Sequence, residues 1–294
     1  MTTALLPTPA QAVALAVDPS SITWRRAGDA RTMLGAGAAL MLQVGHPTVA
    51  AGVREHSNFE RDPWGRLLRT LDFVNLLVYG GPERARLTGC AIRRMHQQIK
   101  GVAPDGRRYH ALEPEAYAWV HGTLAEVIVA AHARFGRPMR PDQLDRFWVE
   151  WKGLGRMLGV RDRDLPDDWD AFGRWVDEII ATRLEDSDVV RSVLRSLGAT
   201  TPPAGVGERA WGALRLPTAR ALRLGTVGLL RPAARERLNL PWSRVQEVEL
   251  ELVGRVARST TPVLPSWLRT MGPRYLRWRE DDLHRGQYAH AAAA

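Results

Sequence analysis

The residues of this sequence that could hold a metal ion or a cofactor are histidines, and most of them lie in one part of the chain. Six of the eight fall between His46 and His132. A neutral imidazole nitrogen can ligate a metal ion or a haem iron. The other common role of an inward-pointing histidine is a hydrogen bond to a carbonyl group of the core.

His96 lies beside the apolar stripe of a predicted helix. It follows Ile92 by four residues and precedes Ile99 by three. Since residues three and four apart share one face of a helix, His96 is expected to point toward the interior or its edge. Both hypotheses, an iron ligand and a core histidine bonded to a carbonyl, fit this spacing.

His121 and His46 are further candidates with weaker patterns. His121 shares a helix face with Tyr117 and Leu124, so the same two hypotheses apply to it. His46 precedes Pro47 at a predicted helix junction, where polar side chains commonly satisfy backbone groups.

A cluster of cationic and hydroxyl side chains precedes these helices. Arg66, Arg69 and Thr70 fall within one helical turn, and Arg66 and Thr70 are four residues apart on one face. Such a group could bind a carboxylate, a haem propionate or bound oxygen. The alternative is an exposed arginine beside a threonine that bonds to its own helix.

Other classes of site lack their motifs. The sequence has no Glu-x-x-His pair of a helical di-iron site, no His-Glu-x-x-His, no Gly-x-Ser-x-Gly and no Gly-x-x-x-x-Gly-Lys. Cys90 is the single cysteine, which excludes an intramolecular disulfide and a cysteine-based zinc or iron–sulfur site, and which fits a cytoplasmic location. The net charge of +9 is spread over interleaved arginines and carboxylates, so we expect no nucleic-acid partner.

The elements that must position these groups are helices. Helical spacing and Gly/Pro boundaries predict an all-α fold, with a short hairpin near Pro104-Asp105-Gly106 as the exception. The predicted helices cover about 29–45, 47 onward, 66–79, 82–100, 114 onward, 141–158, 169–184, 187–197, 208–230, 232–239, 242–257 and 266 onward.

We predict one domain with short ends. Residues 1–20 are expected to form a flexible N-terminal arm, 21–284 a single helical domain and 285–294 a tail. The uncharged segment Thr32–Val53 is near the roughly 20 residues that a bilayer span needs, but its glycines and Pro47 favour a central buried helix over a stable membrane span.

Several segments together resemble one family, the latex clearing proteins (rubber oxygenases) and MpaB-type oxygenases. The matching segments are Gly35–Val53, His56–Phe59, Asp62–Thr70, Tyr79-Gly80, His96–Gly101, Asp105-Gly106 with Tyr109, Trp119–Leu124 and, more weakly, Leu264–Arg269.

The resemblance implies a globin-like helical core around a b-type haem. His96 is the best match to the axial histidine, with His121 as second choice and His46 as a further cofactor-binding candidate. Arg66, Arg69 and Thr70 match an Arg-x-x-Lys-Thr motif near the haem. The lysine of that motif can ligate iron on the open side, whereas an arginine stays protonated and ligates poorly.

The expected function is therefore that of a haem b-dependent oxygenase, which uses O2 on a lipophilic substrate such as an alkene, a terpenoid or a lipid-like molecule. In this hypothesis His96 holds the iron, and the apolar helices around Thr32–Val53 and Leu71–Val78 line a dry tunnel. The alternative is a haem- or lipid-binding helical protein without turnover. The sequence leaves the oligomeric state open.

Overall fold

The computed structural model describes residues 6–57, 63–196 and 207–281. These residues form helices joined by short turns, with one two-stranded sheet, so the predicted all-α class is confirmed. The helices are α1 Pro9–Leu15, α2 Ile22–Ala27, α3 Ala36–Gly45, α4 Pro47–His56, α5 Pro63–Tyr79, α6 Gly81–Gln97, α7 Pro114–Phe135, α8 Pro141–Leu158, α9 Trp169–Thr182, α10 Asp188–Ser196, α11 Glu208–Gly228, α12 Pro232–Arg237, α13 Arg244–Thr260, α14 Ser266–Arg269 and residues 272–281 (α15). The strands are β1 Lys100–Val102 and β2 Arg108–His110.

Helix boundaries follow local signals in the sequence. Prolines occupy the first turn of α4, α7 and α8, where the missing N–H group costs nothing. The Ser243 side chain accepts a hydrogen bond from Gln246 N at the start of α13. Gly159 ends α8 with φ +81°, a conformation that favours glycine.

The helix predicted from Asp29 to Gly45 is divided in two. Residues Ala30–Gly35 form a 3₁₀ helix capped by the Asp29 side chain, and α3 begins at Ala36. The 3₁₀ segment packs against α7 and α11. A Cβ atom on Gly35 would lie 2.6 Å from Val127 Cγ1, so this packing needs a residue without a side chain.

α3 is a central helix whose apolar sides are filled by other helices. A Cβ on Gly37 would lie 1.9 Å from Thr226 Oγ1 of α11, and one on Gly45 would lie 2.2 Å from Leu184 Cδ2. α7 and α10 cover further sides. The expectation of a central buried helix is met, whereas the hypothesis that α3 lines a tunnel conflicts with this close packing. Among the described residues, no helix is long and apolar enough to cross a membrane.

The first described residues pack on the domain, although the sequence predicts a flexible arm there. α1 lies against α6 and α8, and Ala12 is fully buried. Further along, the Glu150 carboxylate of α8 accepts hydrogen bonds from Ile22 N and Thr23 N and so caps α2. Because Glu150 is 128 residues away from Ile22 in the sequence, the residues around α2 carry no local signal for this cap.

The C-terminal helix returns to the first half of the chain. Tyr275 Oη donates to Asp72 Oδ1 of α5 over 2.7 Å, and Arg279 pairs with the same carboxylate at 3.1 Å. Met271 N donates to Gly28 O over 2.8 Å. α15 therefore fixes the outer side of α5, the helix that carries the Arg66–Thr70 cluster.

The predicted hairpin is confirmed between α6 and α7. β1 and β2 are antiparallel, with Lys100 opposite His110, and Gly106 adopts φ +84° in the connecting turn. The hairpin packs on α4. It ties the end of α6, where His96 lies, to the beginning of α7.

The contact between α6 and α8 provides a stability test. A Cβ on Gly89 would lie 1.9 Å from the backbone oxygen of Met157, whereas one on Gly173 in α9 meets nothing within 4 Å. We expect Gly89→Ala to lower the free energy of unfolding by about 2–3 kcal/mol because the helices must separate. Gly173→Ala should raise it by about 0.5–1 kcal/mol because alanine favours the helix.

Urea denaturation of the two variants beside the unchanged protein measures both effects. Equal effects of the two substitutions would contradict the close approach of α6 and α8.

Candidate functional site

His96 is held near the end of α6 by its own helix and by α7. Its Nδ1 lies 2.8 Å from Ile92 O. The ring meets Tyr117 edge-on at a centroid distance of 5.6 Å, and Tyr117 Oη donates to Leu158 O over 3.0 Å. α8 thus fixes the tyrosine that sets the orientation of the His96 ring.

These contacts leave the His96 ring in the state that ligation of iron requires. A carbonyl oxygen can only accept, so Nδ1 carries the proton and Nε2 keeps its lone pair. Burial lowers the pKa of His96 below its ordinary value, and the nearby His110 lowers it further, so the ring is neutral at pH 7. Nε2 has no hydrogen-bond partner within residues 6–57, 63–196 and 207–281, and His96 is half-buried. A backbone acceptor on one nitrogen and a free second nitrogen is the usual arrangement of a ligating histidine.

The antiparallel arrangement of α5 and α6 brings the predicted arginine cluster to the same end of the fold. The two helices are joined at Gly80 and pack along their length, so the end of α6 lies beside the beginning of α5. Arg69 and Thr70 are exposed, and each makes an interaction within the protein. Arg66 belongs to α5, but its side chain lies outside the described part.

His121 is a core residue with both hydrogen-bonding and stacking partners. Nε2 donates to Trp151 O over 2.9 Å, and Trp151 Nε1 donates back to His121 O over 3.1 Å. The two rings stack at 5.3 Å. A Cβ on Gly155 would lie 2.9 Å from Nε2, so α8 fills the space beside this nitrogen. The geometry matches the sequence hypothesis of a carbonyl-bonded core histidine.

His46 is also buried, at the junction of α3 and α4. Its Nε2 lies 3.4 Å from Glu115 Oε1, and Arg183 holds that carboxylate at 2.6 Å. Burial lowers the pKa of His46, although Glu115 opposes the shift. Nδ1 is buried and has no hydrogen-bond partner among the described residues. His46 therefore presents a second unshared lone pair, in a more enclosed place than His96.

Glu55, His56 and Tyr109 form a polar cluster that the sequence analysis did not predict. The buried Tyr109 of β2 donates its hydroxyl to Glu55 and lies 3.1 Å from His56 Nε2. Burial, with help from Glu55, raises the pKa of Tyr109 to about 12. A Cβ on Gly101 would lie 2.7 Å from the phenol oxygen. The adjacent polar residues Glu55 and His56 at the end of α4 could have indicated a polar site. Their partner Tyr109 is 53 residues or more away, so the sequence did not connect them.

The described residues contain no group of three or more His, Cys, Asp or Glu side chains that could hold a metal ion. A haem iron can be held by one protein histidine. His96 has a neutral ring, a fixed tautomer and a second nitrogen without a partner among the described residues, which such a ligand requires, while the Nε2 of His121 is already occupied by Trp151 O.

Comparisons with known proteins place the chain among oxygenases. Residues 24–259 match the model of the family described as "ER-bound oxygenase mpaB/B'/Rubber oxygenase, catalytic domain". Two similar proteins are "Uncharacterized protein Mb2261" of Mycobacterium bovis and "Uncharacterized protein Rv2237" of Mycobacterium tuberculosis. Each is 26% identical over 243 residues, which are 80% of this chain and 92% of the relative. No solved structure matches the chain, so the globin-like arrangement of the core stays a prediction.

The buried state of His121 predicts a pH dependence of stability. Burial lowers its pKa from 6.5 to about 4 in the folded protein. The unfolded chain therefore binds a proton first as the pH falls below about 6.5, and stability is lost down to about pH 4. The full loss is about 3 kcal/mol.

His121→Gln keeps a donor for Trp151 O but does not titrate. We expect the unfolding free energy of this variant to fall less between pH 6.5 and 4 than that of the unchanged protein. Urea denaturation across this range, with His56→Gln as control, measures the difference. Parallel pH profiles for the unchanged protein and His121→Gln would contradict a neutral buried imidazole.

Proposed function

The chain belongs to the family of MpaB-type and rubber oxygenase catalytic domains, and we propose that it is a haem b-dependent oxygenase that acts on a lipophilic substrate with O2. The observation that carries the proposal is the His96 ring, whose Nδ1–H is bound to Ile92 O and whose Nε2 lone pair has no partner within the described part of the chain. The family supports oxygenase activity, and this geometry supports the iron ligand.

The contacts of His96 would serve three purposes in such a site. The hydrogen bond to Ile92 O keeps the proton on Nδ1 and raises the basicity of Nε2. Tyr117 prevents rotation of the ring. Partial burial disfavours protonation, which would otherwise compete with the metal for the same lone pair. A haem bound there would supply the activation of O2.

Arg66, Arg69 and Thr70 would border the site from α5. Two guanidinium groups and a hydroxyl within one helical turn suit propionate binding and polar contacts to an oxygen ligand. α15 holds α5 in place through Asp72, one turn from the cluster. These residues would therefore orient the cofactor and set the polarity of its open side.

A lipophilic substrate is supported by the family description, which names a rubber oxygenase, and rubber is a hydrocarbon polymer. We propose an alkene, a terpenoid or a lipid-like molecule as the substrate class. Since α3 is filled on its apolar sides, the substrate would approach from the α5–α6 side, where His96 is half-buried.

The assignment of His96 is tested by absorbance spectroscopy. We expect protein produced with ample haem to show a strong band at about 400 nm, as a histidine-held haem iron would give. His96→Gly should lose or shift the band, and added imidazole should restore it by filling the vacated position. Far-UV circular dichroism checks that the fold persists.

His121→Gln is the matched control and should retain the band. A band that survives His96→Gly but disappears in a His46 variant would move the ligand to His46. No band after haem reconstitution would overturn the haem-oxygenase proposal. With a haem band in place, oxygen uptake on candidate alkenes, terpenoids and lipids tests turnover, and its absence would favour a haem- or lipid-binding protein.

Arg69 permits a second test of the same site. In the resembling proteins a lysine at this position can ligate iron. We expect Arg69→Lys to convert the spectrum toward that of a six-coordinate iron with a second nitrogen ligand, because an amine can lose the proton that a guanidinium keeps. Arg69→Gln should leave the coordination unchanged. Identical spectra for both variants would place Arg69 away from the iron.

A further inference from the structure

The outward side of α13 is apolar, which is the reverse of an ordinary surface helix. Val245, Val248, Leu252 and Val256 recur at helical spacing, and each exposes half or more of its surface, from 51% to 67%. The opposite side of α13, with Leu250 and, one turn later, Gly254, is buried in the domain. Aligned aliphatic residues that face water are typical of a surface that binds a partner. We call these four residues the α13 face.

The exposed apolar surface continues along the chain beyond α13. Val263 is 81% exposed and Trp267 of α14 is 61% exposed. A tryptophan at the margin of an apolar surface is typical of a membrane interface, where the ring has one apolar side and one wet side.

The exposed charges on one flank of the α13 face are two arginines and one carboxylate, which leaves a small positive charge there. Arg244 lies one turn before Val248, and Arg255 lies one turn after Leu252; both are exposed. Neither forms an ion pair with the described residues, and the same holds for Arg269 beside Leu268. Glu251 is the exposed carboxylate on this flank.

Other arginines, beside α13 and elsewhere, are paired with carboxylates. On the same helix, Glu247 pairs with Arg134 and Glu249 with Arg220. Elsewhere Arg107, Arg140 and Arg161 have carboxylate partners. Arginines without partners beside an apolar face leave a local positive potential, which an anionic partner would neutralise.

We propose that the α13 face binds an anionic lipid surface, with the aliphatic side chains entering the interface and Arg244 and Arg255 contacting lipid phosphates. An apolar stripe flanked by arginines is the pattern of a helix that lies in the membrane plane. Such binding requires neither a membrane span nor a bound cofactor.

A second copy of the chain fits this surface less well. A two-fold interface brings the same patch of both subunits together. The unpaired arginines would then approach one another, with Glu251 as the carboxylate available on each side. Like charges at an interface oppose association, whereas anionic lipid attracts them.

Sedimentation with vesicles tests the proposal. The purified protein should sediment with vesicles of equal parts phosphatidylserine and phosphatidylcholine, and less with phosphatidylcholine alone. Val256→Asp should weaken the binding about ten-fold or more, because it removes aliphatic contact and adds a negative charge. Val149→Asp makes the same change at another exposed helical valine, 65% exposed on α8, and should leave the binding unchanged.

Arg255→Gln should weaken binding to the anionic vesicles and reduce its dependence on salt. Equal binding by Val256→Asp and Val149→Asp, or no binding by the unchanged protein, would overturn the proposal. So would a dimer in analytical ultracentrifugation that Val256→Asp dissociates, with no vesicle binding. The vesicle assay needs neither haem nor turnover, so its failure is distinct from failure of the proposed function.

Discussion

The reciprocal hydrogen bonds between His121 and Trp151 fix α7 against α8, and the position of the candidate site depends on this contact. The pair satisfies two backbone carbonyls inside the core and stacks two rings, so neither helix can rotate without leaving buried polar groups unpaired. α8 then supports the site in two ways. Its Leu158 carbonyl anchors Tyr117, and its Met157 carbonyl lies against Gly89 of α6. α8 therefore positions His96 both through Tyr117 of α7 and through its direct contact with α6.

Small residues make this arrangement possible. Gly89 and Gly155 allow α8 to approach α6 and α7, and Gly37 and Gly45 do the same for α3. At such distances dispersion contacts accumulate along the helices, and a single added methyl group has to push backbone apart. The close packing also decides where a cofactor can go. The interior around α3 and His121 is closely packed, so the proposed cofactor would have to lie on the α5–α6 side, where His96 is half-buried.

Four histidine rings of the interior and its edge are kept neutral by burial. Burial lowers the pKa of His46, His96, His121 and His132, so all four rings are neutral at pH 7. In three of them a ring nitrogen donates to a backbone carbonyl, at Ile92, Trp151 or Arg26. Their difference lies in the other nitrogen and in the space around it. His46 and His132 also keep a nitrogen without a partner among the described residues, but both are fully buried, whereas His96 is half-buried. This difference supports the proposed role of His96.

The sequence by itself determined the helical class, most helix positions and the hairpin, because prolines, glycines and 3.6-residue periodicity act locally. It also indicated the region of the candidate site and, through short ordered motifs, the family. Tertiary structure decided which histidines are engaged, the division of α3 from its 3₁₀ segment, the packing of α1 and the Glu55–Tyr109–His56 group. These features depend on partners up to 128 residues apart, such as Glu150 and Ile22, and on space beside each side chain. Neither is encoded in the spacing of neighbouring residues, so only the packed helices reveal them.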